Sequence, residues 1–187
     1  MNRPIKLLIL IILSLSVYFI YNYTNKTIKV LILGDKKLTF SSNSVNINNK
    51  FAVNNLSTKH LLEKIKLESD IKRGLIESHY LVLSIGYNDL IYDLSLENDI
   101  NNHHFNNITK NIEKDYNNLI KEIRKYYKNK IIVVGYPRSN KEDYYINIGI
   151  KKLNKILKSN KEVTYIDTYY YSDKSLEDKI IHEILAK

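Results

Sequence analysis

Short, almost wholly apolar runs alternate along the chain with longer stretches in which apolar residues recur every three or four positions. Ile28 to Leu33 (IKVLIL), Tyr80 to Ile85 (YLVLSI) and Ile131 to Val134 (IIVV) carry the first pattern, and each is closed by a glycine, Gly34, Gly86 or Gly135. Strands covered on both faces read this way. Val163 to Ile166 predicts a last strand and Phe51 to Val53 a short one. The second pattern is clearest over 106–128, where Ile108, Ile112, Tyr116, Leu119, Ile120, Ile123 and Tyr127 fall on one face of a helix. Thr58 to Leu67, Glu142 to Lys158 and Leu176 to Ala186 predict further helices, with polar loops at 43–49 and 98–107. No internal repeat is visible.

Strands alternating with helices predict a three-layer α/β/α sandwich around a mostly parallel, flavodoxin-like five-stranded sheet. Ligands of such sheets gather just beyond the carboxyl ends of the strands. Three segments occupy those places: Gly34-Asp35-Lys36, Gly86-Tyr87-Asn88-Asp89 and Gly135-Tyr136-Pro137.

The N-terminus has a different character. Arg3 and Lys6 precede an apolar run from Leu7 to Ile20, broken only by Ser14, Ser16 and Tyr18, and Tyr21 to Tyr23 follow it. A basic start and an apolar centre are the marks of a secretory address. The run is short against the ~20 residues of a bilayer span, but snorkelling of Lys6 and interfacial tyrosines extend it. Val17 to Thr24 holds no small-x-small cleavage pattern. The expectation is therefore an uncleaved signal anchor over 1–23, followed by one domain over 24–187. A very short tail before the span places that tail in the cytoplasm and the domain outside, as a single-pass membrane protein.

Composition adds limits. The 187 residues suffice for a full core, and 44% hydrophobic with 26% charged residues is a globular balance. Cysteine is absent, which excludes disulfides, a thiolate nucleophile and thiolate metal sites. The net charge of +9 is carried by lysines scattered as singles and pairs, with no arginine-rich stripe. That argues against nucleic acid and for a solvated basic surface, open to anionic lipid headgroups or wall polymers. His103 and His104 form a pair without a convincing set of ligand partners, and no metal or cofactor is implied.

The three strand-end segments, in their order, resemble the SGNH (GDSL-type) hydrolases. In that family a G-D-S turn after the first strand carries the nucleophilic serine. A G-x-N-D turn after a later strand donates an asparagine amide to the oxyanion hole, and a D-x-x-H near the C-terminus supplies base and orienting acid. Here Gly34-Asp35 resembles the first turn and Gly86-Tyr87-Asn88-Asp89 matches the second, while "IIVVGYP" and "VTYIDTYYY" resemble later strand ends. The resemblance runs from Val30 to Lys187 and implies an ester hydrolase fold. It implies a pocket of Gly34, Asp35, Lys36, Gly86, Asn88 and Asp89, with Asn88 as oxyanion donor. A helix cap near Leu90 is the alternative role for Asn88 and Asp89.

The departures carry as much weight. Lys36 stands where the serine belongs, and a lysine acts as a nucleophile only if its pKa is lowered. Thr39, Ser41 and Ser42 lie nearby but further along the loop. Asn54-Asn55-Leu56-Ser57 offers no glycine for a second oxyanion donor, and Leu176 of Asp173-Lys174-Ser175-Leu176 replaces the histidine. His182 is expected on the outer face of the last helix, whose buried stripe is Ile180, Ile181, Ile184 and Leu185. Tyr169 to Tyr171 could line a sugar or lipid groove or pack one ring inward. A triad needs nucleophile and base in contact. The expectation is a catalytically impaired, membrane-anchored domain that keeps the fold to bind an acylated glycan or lipid. The alternatives are an active esterase with rearranged residues, and a cell-envelope interaction protein using its basic surface.

Overall fold

A computed structural model describes residues 11–18, 27–36, 45–96, 102–139, 144–170 and 173–185. Five strands form one sheet: β1 (Ile28–Gly34), β2 (Val45–Ala52), β3 (Tyr80–Ser84), β4 (Ile131–Val134) and β5 (Thr164–Ile166). Helix α1 covers 11–18. The others are α2 (Thr58–Leu67), α3 (Ser69–Glu77), α4 (Tyr87–Ser95), α5 (Asn102–Tyr126), α6 (Tyr144–Ser159) and α7 (Asp173–Leu185).

The strand order is β2-β1-β3-β4-β5 and every neighbouring pair is parallel. Alternate residues of the central strands enter two separate cores, which is why these strands are apolar throughout. Leu31, Leu33, Leu81, Leu83, Ile131 and Val133 face one core with buried residues of α2 to α6. Val30, Ile32, Val82, Ile132 and Val134 face the other, against Leu176, Ile180 and Ile184 of α7. The predicted stripe of α5 is buried along its whole length.

Several boundaries differ from expectation. The polar loop predicted at 43–49 is largely β2, whose alternating burial marks an edge strand with one wet face, and Phe51 to Val53 supplies only its end. Residues 102–107, predicted as loop, begin α5, because Phe105 and Ile108 extend its buried stripe. Helices α3 and α4 were not predicted by periodicity, being short and anchored by two buried residues each. On α7, Ile180 and Ile184 are buried but Leu185 is exposed. No helix among the described residues is long and apolar enough to cross a membrane.

The connection from β1 runs to β2 on one side and the next crosses back to β3 on the other, leaving β1 and β3 as neighbours. Their carboxyl ends therefore form a topological switch point, where a crevice opens.

Candidate functional site

Two glycines shape that crevice. Gly34 ends β1 at φ 117°, and a Cβ there would fall on the carbonyl oxygen of Ser84 in β3. Only a residue without a side chain permits that approach at that angle. The next amide, Asp35 N–H, donates to the same Ser84 carbonyl at 2.7 Å, locking the turn onto β3. Gly86 is the N-cap of α4 at φ 109°, and a Cβ there would stand 2.9 Å from Leu153.

Asp35 is the hub of the site. Its Oδ1 accepts from the Tyr136 hydroxyl at 2.6 Å and from Ser84 Oγ at 3.1 Å, and its Oδ2 accepts from Asn88 Nδ2 at 3.4 Å. Burial pushes the Asp35 carboxyl up to about 6, against the downward pull of the Tyr136 and Ser84 hydrogen bonds. The Tyr136 hydroxyl is pushed well above the ordinary tyrosine range, first by burial and then by the Asp35 charge. Ser84 Oγ also lies 3.2 Å from the Tyr136 hydroxyl, closing a three-residue ring.

Tyr136 is held from behind. Its backbone N–H donates to Asn154 Oδ1 and its carbonyl accepts from Asn154 Nδ2, both at 2.8 Å, and its ring stacks on Tyr87 at 5.3 Å. This fixes the hydroxyl over Asp35 at little entropic cost.

Asn88 and Asp89 do different work from each other. Asn88 Nδ2 donates to Asp35 Oδ2 and, at 3.3 Å, to the Leu56 carbonyl, so the amide tends the turn before α2. Asp89 accepts from Thr58 N–H at 2.9 Å and from Thr58 Oγ1 at 2.7 Å. It thus caps α2, beside Ser57, whose side chain accepts from His60 N–H. The helix that these two residues begin is α4, starting at Tyr87 and not near Leu90. The cap that Asp89 supplies belongs to another helix.

Around these groups lies a cleft of about 480 Å³, lined by Asp35, Lys36, Asn55, Asn88, Tyr136 and Arg138 among others. Lys36 is half-buried in its wall. Asn55 takes φ 64°, the left-handed conformation that glycine favours and asparagine tolerates. Residues 54–57 contain no glycine, and the backbone turn is made with Asn55 in its place, as an expectation that another residue's backbone could serve allows. Thr39, Ser41 and Ser42 lie outside the described residues.

None of the five histidines lines this cleft. His60 lines a neighbouring groove with Asn88 and Asp89, and His182 is exposed on α7. His79 sits at the opposite end of the sheet, where its Nδ1 accepts from Lys29 N–H at 2.9 Å. Leu176 is buried in the second core, so it faces the sheet. Asp173 to Leu176 is the first turn of α7 and not a loop before it. Among the described residues no group of three or more histidines and acids could hold a metal ion. Tyr169 is partly buried and Tyr170 exposed, while Tyr171 lies outside the described residues.

Strand order, the glycine turn after β1 and the asparagine turn after β3 together define an SGNH-hydrolase-like fold. Solved structures of ester hydrolases share it. The chain is similar to a lipase from a goat rumen metagenome, with TM-score 0.60 and 18% identity over 76% of this chain and 81% of that one. It is also similar to a variant of an acetyl-xylooligosaccharide esterase from Geobacillus stearothermophilus, with TM-score 0.54 and 14% identity over 84% of this chain and 82% of that one. Identities this low speak to the fold alone. No protein-family model matches the sequence, and no curated protein matches it either.

Ser84, Tyr136 and Thr58 are the site residues that sequence reasoning missed. Tyr136 sat in a marked strand-end turn, but nothing along the chain joins it to Asp35, 101 positions away.

Proposed function

We propose that this chain is a catalytically impaired SGNH-type domain that uses its cleft to bind an acylated glycan or lipid at a membrane surface. The observation that carries the proposal is the closed ring of Asp35, Tyr136 and Ser84 beside Lys36. Hydroxyl donors and carboxylate acceptor satisfy one another, a lysine stands at the nucleophile's place, and no histidine lines the cleft to activate a hydroxyl.

Support for anchoring comes from α1. Ile11, Ile12, Leu13, Leu15 and Val17 are all exposed, and the Ser14 and Ser16 hydroxyls donate back to the Ile11 and Ile12 carbonyls. Lipid is the surrounding in which exposed apolar groups and inward-turned hydroxyls carry no penalty.

A second reading, an active acyl esterase, rests on Asn88. Its hydrogen bonds of 3.3 and 3.4 Å are long, so a developing oxyanion would compete for the amide.

The test is steady-state turnover of the purified chain on acetyl and butyryl esters, beside Asn88→Ala. The impaired domain gives the buffer rate in both proteins. Turnover that falls ~100-fold or more in Asn88→Ala establishes the esterase instead.

A further inference from the structure

A second groove, of about 260 Å³, runs between α6 and the turn that follows β5. Lys151, Lys155 and Lys158 line one side, and Tyr169 and Tyr170 line the other. Spacings of four and three place the lysines on one face of α6, as a row about 10 Å long. All three are exposed, and none forms an ion pair with a described residue. Lys151 Nζ lies 5.6 Å from the Tyr169 ring centroid. Tyr170 is 83% exposed and stands edge-to-face on Tyr169, at 84° and 4.9 Å. The backbone N–H of Arg138, itself exposed, donates to the Tyr169 carbonyl, so the basic row continues toward the Asp35 cleft. Asp167 is the one carboxylate among the described lining residues, and its Oδ1 accepts from Tyr169 N–H.

We propose that this groove binds an anionic glycan strand. The exposed face of Tyr170 receives a sugar ring, the lysine row receives the acidic groups along the strand, and the free oxygen of Asp167 accepts a sugar hydroxyl. Each feature has its counterpart in that ligand. An aromatic face covers the apolar face of a pyranose, and a row of unpaired ammonium groups attracts regularly spaced anions. The features fit a single-stranded nucleic acid less well. Such a strand stacks successive bases on several aromatic platforms, whereas these two rings stand edge-to-face and present one. Asp167 is an acceptor, and each ring of a glycan strand offers hydroxyl donors that the sugars within a DNA strand lack. A membrane surface is flat, and this site is concave. The groove lies beside the Asp35 cleft, so this inference goes beyond the impaired-hydrolase reading and does not depend on its outcome.

Affinity electrophoresis of the purified full chain tests it, through gels containing polygalacturonate, neutral dextran or poly(dT). Retardation is expected in polygalacturonate, weakening as salt is raised, with little in dextran and less in poly(dT) than in polygalacturonate. Lys151→Gln/Lys155→Gln/Lys158→Gln lowers polygalacturonate affinity about tenfold or more. The matching triple arginine variant retains the affinity, which separates lost charge from lost folding. Tyr170→Ala lowers affinity about fivefold, as loss of one stacking face should. Absence of retardation in polygalacturonate, retardation indifferent to the glutamine triple, or retention by poly(dT) equal to or above that by polygalacturonate overturns the proposal.

Discussion

The Tyr136 hydroxyl donates to Asp35 Oδ1 at 2.6 Å, joining the ends of β4 and β1 across the intervening strand β3. It is the shortest contact in the site and the one that most constrains chemistry there. A half-buried carboxyl that already accepts from a tyrosine, a serine and an asparagine has little capacity left for a further partner. The ring stabilises the switch point beside Lys36.

Tyr136→Phe removes the donor and leaves the half-buried Asp35 with weaker partners. Stability should fall by about 1–3 kcal/mol, the usual range for a hydrogen bond to a buried charged group. Urea denaturation at neutral pH measures it, with the stacking on Tyr87 preserved by the phenyl ring.

Stability should also depend on pH through Asp35, whose carboxyl stands at about 6 when folded against an ordinary 3.8. Between those values the unfolded chain has released the proton and the folded chain still holds it. Stability from this group is therefore fully present below the lower value and is lost as pH rises through the upper one. The loss is on the order of 3 kcal/mol, since one pKa unit corresponds to about 1.4. Urea midpoints at pH 4 and pH 7.5 should show it as a difference between the wild type and Asp35→Asn, whose profile is flatter over that range.

Asp89 invites a catalytic reading from its motif, yet its partners are the N–H and hydroxyl of Thr58, which is buried at the start of α2. Asp89→Ala should cost about 1–2 kcal/mol, as loss of a helix cap does, and Asp89→Asn less, because an acceptor remains. Thermal melts of the two variants distinguish capping from a role of charge.

The contrast between these residues and the rest of the fold shows what a linear reading contains. β1, β3 and β4 were legible because both of their faces are buried, which leaves an unbroken apolar run. β2 was not, because asparagine and lysine on its wet face disguise a strict alternation that ends at Ala52. The strand-end turns were legible for the same reason the sheet was. Glycine after an apolar strand marks a place where the backbone must turn tightly. What fills those turns was less so. The sequence identifies Asp35 and Asn88, but Ser84 is their neighbour only through the parallel register, and Tyr136 and the Leu56 carbonyl only through the turns that follow other strands. The role of Asp89 was hidden likewise, since a cap is ordinarily sought on the residue's own helix.

Lys36→Ser restores a hydroxyl at the family's nucleophile position and nothing to activate it. Turnover of acetyl esters should stay at the buffer rate, because none of the histidines lines the cleft. A gain above about 100-fold over buffer would place an unrecognised base beside residue 36, since general-base assistance contributes roughly that much.

The most direct test of the proposed impairment is an intact-mass measurement after incubation of the purified wild-type chain with a fluorophosphonate. The proposed impairment predicts the unmodified mass, because among the described residues no histidine lines the cleft to activate a serine. A single stoichiometric adduct, abolished by changing one serine to alanine, would contradict the account and return the chain to the active ester hydrolases.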